Sequence, residues 1–144
     1  MPEESGLALL LLLLAMLAQV WLVIFLYACL GVARRRAIRR GEMEYAVFTP
    51  VMKEPLGVAR LSRNLSNQFE LPVLFYVLVM VLIVTGYATL LDAALAWGFV
   101  VARIAHSAAA TLSNRIAPRG ATFALGFLLI VVLAVRVTML PFAT

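Results

Sequence analysis

A chain of 144 residues has room for one domain, spanning 1–144, yet 65% of it is hydrophobic and its mean hydropathy is +1.04. A water-soluble core of this size cannot hide that much apolar surface, so the surplus faces lipid. The net charge of +5 does not read as a nucleic-acid footprint, because five arginines lie between Arg34 and Arg40, directly after a long apolar run. Arginines in that place are a membrane-topology signal.

A helix needs about 20 apolar residues to cross roughly 30 Å of hydrocarbon. Residues 7–33 carry no charge, with Gln19 the strongest polar group, and form the first predicted span. Glu3 and Glu4 stand where a signal peptide needs basic residues, and the apolar run is too long for one, so no cleaved leader is expected. The single cysteine, Cys29, lies within this run, which excludes an intrachain disulfide framework and leaves a packing role. The loop that follows is about 30 residues long, and Pro50, Pro55 and Gly57 argue against a continuous helix there. Residues 71–91, 93–112 and 121–140 give three further spans, the third interrupted by Arg103 and His106 and the fourth carrying Arg136 near its far end. The expected fold is therefore an all-α, integral-membrane four-helix bundle.

Loop charges orient it. The first loop holds Arg34, Arg35, Arg36, Arg39, Arg40, Lys53, Arg60 and Arg63, and the loop before the fourth span holds Arg115 and Arg119. The opposite side has Glu3, Glu4 and Asp92. Positive-inside logic places both termini outside and both basic loops in the cytoplasm, as in a bacterial inner-membrane protein.

The most informative stretch runs from Arg60 to Pro72, RLSRNLSNQFELP. On a continuous helix Arg60, Arg63, Asn67 and Glu70 fall within about 80° of one another. Two guanidiniums, an amide and a carboxylate would then share one face at the mouth of the second span. Interfacial anchoring explains the arginines equally well, but it needs neither Asn67 nor Glu70. Pro72 is expected to loosen the turn behind it. In the third span Ala94, Gly98, Ala102, Ala105 and Ala109 form a small-residue stripe suited to close helix approach. Arg103 and His106 lie on the other side. A lipid-facing charge at the depth of Arg103 is expensive, so it should point into protein, with Glu70 the nearest acid. A buried structural network is the competing reading for this pair, and the favoured one for His106. Arg136 is expected to snorkel to the outer interface.

Arginines from separate segments, namely Arg34, Arg60 with Arg63, and Arg119, thus meet near one depth beside a single Glu. That set suits a small ligand with several carboxylates and one ammonium, because guanidinium forks bind carboxylates bidentately. One His and one Cys on different helices give no metal constellation.

Four short motifs occur in order along these spans: Gly31 with Arg34, Arg63-Asn67-Glu70-Pro72, Arg103-x-x-His106 preceded by Trp97, and Pro118-Arg119. Together they resemble the family of membrane-associated proteins in eicosanoid and glutathione metabolism (MAPEG), over nearly the whole chain. The resemblance implies a homotrimer with sites between subunits, each holding glutathione near the cytoplasmic face. It implies Arg63, Asn67 and Glu70 as tripeptide ligands from one protomer. Arg34 and Arg119 would approach the carboxylates or sulfur, Arg119 from the neighbour. Arg60, Arg103, His106 and Arg115 complete the candidate glutathione-binding set, and Arg119 is the catalytic candidate, as the cation that favours the thiolate. The second substrate would be lipophilic, an electrophile or hydroperoxide. The sequence departs from the pattern at Ala110, where some members have tyrosine, at Gly120 and Phe123, where hydroxyl residues are expected, and at Ser66. Thiolate activation then falls to Arg119 nearly alone, and specialised prostaglandin or leukotriene synthesis is not expected. The alternative is a non-catalytic trimer that binds an anionic lipid or small peptide. A proton-coupled transporter would want an acid inside a span, and the sequence offers only Glu70 at an edge.

Overall fold

The computed structural model describes residues 2–43, 54–113 and 115–140, so Pro50 and Lys53 of the first loop lie outside the described residues. It is an all-α bundle with four helices long and apolar enough to cross a membrane. Helix α1 runs from Pro2 to Arg39, 38 residues or about 57 Å, nearly twice the hydrocarbon thickness. Its last turns therefore project beyond the apolar layer. Gly41, at φ 68°, stops it: Gly41 N–H donates to the Ile38 carbonyl at 3.0 Å and Glu42 N–H to that of Ala37 at 3.0 Å. A left-handed residue closing both bonds is what glycine permits at no steric cost.

The second crossing is a helix with a break in it. Helix α2 (Leu56–Ser66) passes through a single tight turn, Asn67–Phe69, into α3 (Leu71–Thr85). Glu70 between them has φ −105° and ψ −100°, outside helical geometry. Pro72 is the cause. It has no N–H for the carbonyl four residues back and its ring would clash there, whereas in the first turn of a new helix it costs nothing. The four residues Arg60, Arg63, Asn67 and Glu70 therefore do not lie on one continuous helix as expected, because the helix is interrupted between Asn67 and Glu70. Gly86, at φ 72°, then ends α3 at Thr85, short of the Leu91 boundary drawn from hydropathy.

Helix α4 (Leu90–Leu112) starts on a capping box, with the Thr89 hydroxyl accepting from Asp92 N–H and the Asp92 carboxylate accepting from Thr89 N–H. Helix α5 covers Ile116–Met139. The centre of the bundle is α4, which packs on α5, α1 and α2, while α3 leans on α5 and α1. One apolar core joins Leu12, Phe75, Val79, Leu82, Phe99 and Leu133, with the Phe75 and Phe99 rings stacked at 4.7 Å. A smaller core towards the arginine end holds Leu26, Leu30, Val58 and Leu65. Of the small-residue stripe on α4, Ala102 is buried and Gly98 faces Leu129 of α5, whereas Ala94 and Ala105 are exposed.

Two polar groups expected at the outer interface are instead joined. Asp92 is fully buried, and Arg136 of α5 donates to its carboxylate from both Nε and Nη2, while Nη2 also reaches the Thr89 hydroxyl at 3.0 Å. Arg136 therefore does not simply snorkel. The start of α4 and the end of α5 lie at one depth in an antiparallel pair, so the two charges meet and neutralise each other inside the bundle.

Candidate functional site

A seam of carboxamides and hydroxyls separates the two apolar cores. Asn64 and Gln68 are one turn apart on the second crossing, and Ser107 and Thr111 are one turn apart on α4, so the two pairs face each other like rungs. Asn64 Nδ2 donates to the Ser107 carbonyl at 3.3 Å and to the Thr111 hydroxyl at 3.1 Å, and Gln68 Nε2 donates to the Ser107 hydroxyl at 3.2 Å. Gln19 of α1 completes the seam by donating to Gln68 Oε1 at 3.0 Å. Sequence reasoning missed this seam, although two polar pairs at i, i+4 in facing spans were a usable signal. In an apolar surround such bonds fix helix register, since their loss leaves buried polar groups unpaired.

Beside the seam, between α2, α4 and the first turn of α5, lies a cleft of about 220 Å³ lined by Arg60, Arg63, Asn64, Asn67, Ala110 and Arg119. Arg60, Arg63, Asn67 and Arg119 of the candidate set therefore meet within a single chain. None of the described residues lining the cleft carries a hydroxyl or a thiol. Asn67 is held from behind, because Arg103 Nη2 donates to its backbone carbonyl at 2.9 Å. Arg103 is 1% exposed, as the cost of a lipid-facing charge requires, but its Nε and Nη1 have no hydrogen-bond partner among the described residues. Glu70 acts on Arg103 through space without forming an ion pair among the described residues.

The other candidates lie outside the cleft lining. His106 is buried, and its Nδ1 lies 3.2 Å from the Arg119 carbonyl and 3.4 Å from the Thr122 hydroxyl. The Phe123 ring stands 5.9 Å from the imidazole. His106 thus fixes the backbone that presents Arg119. Glu70 is exposed at the break, and Arg115 is exposed beyond the end of α4. Arg34 points elsewhere: its Nη2 donates to Glu54 at 2.8 Å and to the Ser62 hydroxyl at 3.3 Å, pinning the end of α1 to α2.

That pin is titratable. Burial would raise the Glu54 carboxyl, but the Ser62 hydroxyl and the Arg34 guanidinium outweigh it and hold it below its ordinary value of 4.5. A carboxyl depressed in the folded state contributes stability above its unfolded value, and loses it as pH falls through the lower folded value. Glu54→Gln should therefore lower the thermal midpoint in detergent slightly at pH 7, by an effect of at most about 1 kcal/mol for so exposed a pair. The difference from wild type should begin to shrink as pH falls through the unfolded carboxyl value of about 4.3, and vanish once the carboxyl is protonated in the fold as well. A difference that does not shrink at all with falling pH would mean that the pair is not its source.

No curated protein and no solved structure matches this chain. The sequence model of the MAPEG family matches residues 11–139, which covers the four crossings, the seam and the cleft. With nearly the whole chain inside that match, the protein belongs to the MAPEG family.

Proposed function

We propose that this chain is a membrane-embedded, glutathione-dependent transferase or peroxidase acting on lipophilic electrophiles or hydroperoxides. Family membership supports a membrane role in glutathione or eicosanoid chemistry, and the cleft carries the finer reading. Three guanidiniums and two carboxamides converge there. Glutathione in its thiolate form presents two carboxylates, one sulfur anion and several amide groups, which matches that donor set. Arg60 and Arg63 take the carboxylates, Asn67 an amide, and Arg119 lies beside the sulfur. Glu70, at the edge, holds the ammonium. Arg34 reaches a neighbouring protomer's site in a homotrimer only if Glu54 releases it. Both basic loops lie in the cytoplasm of a bacterial inner membrane.

A thiol with a pKa of about 8.5 is mostly protonated at neutral pH, and an adjacent cation favours the nucleophilic thiolate. The thiolate attacks an electrophilic carbon, an S–C bond forms, and the leaving group departs with its electron pair. With a hydroperoxide it attacks the terminal oxygen: the O–O bond breaks, the alkoxide takes a proton to become an alcohol, and the sulfenic acid formed is reduced by a second glutathione to disulfide and water. The lipophilic partner arrives through the bilayer.

The lack of a hydroxyl among the described residues of the cleft favours one second reading, a non-catalytic trimer that binds an anionic lipid or small peptide. Purified protein in detergent distinguishes the two by calorimetric glutathione binding and conjugation of a chlorodinitrobenzene. Arg63→Ala and Glu70→Ala should each weaken binding about tenfold, the loss of one charge-assisted contact, with a smaller effect on turnover at saturation. Binding without turnover would favour the second reading. No binding at all would remove the first.

A further inference from the structure

On the far side of the α2–α4 seam from the cleft lies a second hollow of different chemistry. It is a groove of about 310 Å³ between α1, α2 and α4, lined by Phe25, Leu26 and Cys29, by Leu61, and by Ile104 and Ala108, with Ser107 and Thr111 at its floor. Leu22 to Cys29 cover about 10 Å of α1. Asn64 holds the floor from behind through Ser107 and Thr111, so an occupant of this groove does not touch the arginine cleft of the same chain.

The groove face of α1 continues beyond the apolar layer. At 100° per residue Phe25, Leu26, Cys29, Arg36 and Arg40 lie within an arc of about 100°. Helical bonding persists that far, since Arg40 N–H donates to the Arg36 carbonyl at 3.1 Å. Both arginines are exposed, and among the described residues Arg40 pairs with Glu42 at 3.9 Å, an exposed contact that a phosphate can displace. Arg34, by contrast, is turned towards α2 and held by Glu54. A slot for one apolar chain thus ends, two turns further on, at two guanidiniums.

We propose that this groove binds an anionic phospholipid of the leaflet into which the arginine end of α1 projects. One acyl chain lies along Phe25, Cys29, Ile104 and Ala108, and the phosphate lies between Arg36 and Arg40. Guanidinium forks match phosphate oxygens bidentately, so the headgroup charge selects the lipid and the groove positions it. The bound chain covers apolar surface behind the seam and holds α1 against α4 on the side opposite the cleft.

Cys29 is the single cysteine of the chain and lines the groove, so it reports occupancy directly. Delipidated full-length protein in non-ionic detergent is supplied with phosphatidylglycerol or phosphatidylcholine of identical acyl chains. Retained lipid is counted by native mass spectrometry, and Cys29 alkylation by N-ethylmaleimide is timed. Phosphatidylglycerol should be retained more tightly and should slow alkylation, with about a fivefold loss of preference for each of Arg36→Gln and Arg40→Gln. Ala108→Phe, which fills the slot from an exposed position, should abolish retention and protection together. Equal behaviour of the two lipids would overturn the proposal. So would a headgroup preference that survives Ala108→Phe without protecting Cys29. Slow alkylation in every lipid and in both arginine variants would overturn it as well, since a second copy of the chain would then cover the groove. None of these readouts involves glutathione.

Discussion

Arg119→Ala should lower conjugation at pH 7 by up to about threefold, and the deficit should shrink as pH rises. The limit follows from two opposed effects. A cation within about 4–6 Å depresses an acid's pKa by about 1–3 units, so removing it costs up to about a factor of ten in thiolate per unit, capped near thirtyfold at pH 7 for a thiol of pKa about 8.5. A more basic thiolate is also the better nucleophile, with a Brønsted slope of about 0.4–0.5, which returns about threefold per unit. Protonation wins at neutral pH, and nucleophilicity wins once both forms are ionised. The pH–rate curves should therefore converge and then cross. Arg119→Lys, which keeps the charge, should retain most of the wild-type profile. The alanine change is local, because His106 and Thr122 hold the Arg119 backbone carbonyl, and neither contact needs the side chain. Parallel curves, with the deficit constant from pH 6 to pH 10, would show that Arg119 does not act on thiol ionisation.

The four crossings were legible because hydropathy reports burial in lipid directly, and a charge-free run of 20 residues has few other uses. The inward turn of Arg103 was legible for a related reason: the cost of exposing a guanidinium to hydrocarbon leaves one direction open. Arg60, Arg63 and Asn67 could be grouped because they precede the break, whereas Glu70 could not, since whether a proline bends a helix or starts a new one depends on what accepts the freed carbonyl. Arg34 shows a second limit. Position after an apolar run says that an arginine lies at the interface, but Glu54, twenty residues later, decides where it points. The polar seam was hidden by treating Gln19, Asn64 and Gln68 one span at a time. Each is unremarkable alone, and their chemistry appears only when two spans are set in register.

The same limit concealed the pair at the opposite end of the bundle, where the largest stability effect is expected. Arg136→Ala should destabilise the protein by about 3–5 kcal/mol, because it leaves a charged group buried without its partner. Asp92 has no exposed side-chain surface, whereas the Arg136 side chain retains 32% of its own. The reverse change is therefore milder. Asp92→Ala removes the ion pair and the capping box on α4, but the guanidinium can extend along its stem to the headgroups. The expected loss is about 1–2 kcal/mol, mostly that of the cap. The two changes should be strongly non-additive: Asp92→Ala with Arg136→Ala should resemble Asp92→Ala alone, since the second substitution no longer strands a carboxylate. Unfolding followed by circular dichroism in mixed detergent gives all three values. If Asp92→Ala proves the more damaging single change, the arginine is the member that needs its partner, and the pair is held together by the cost of burying a guanidinium instead of a carboxylate.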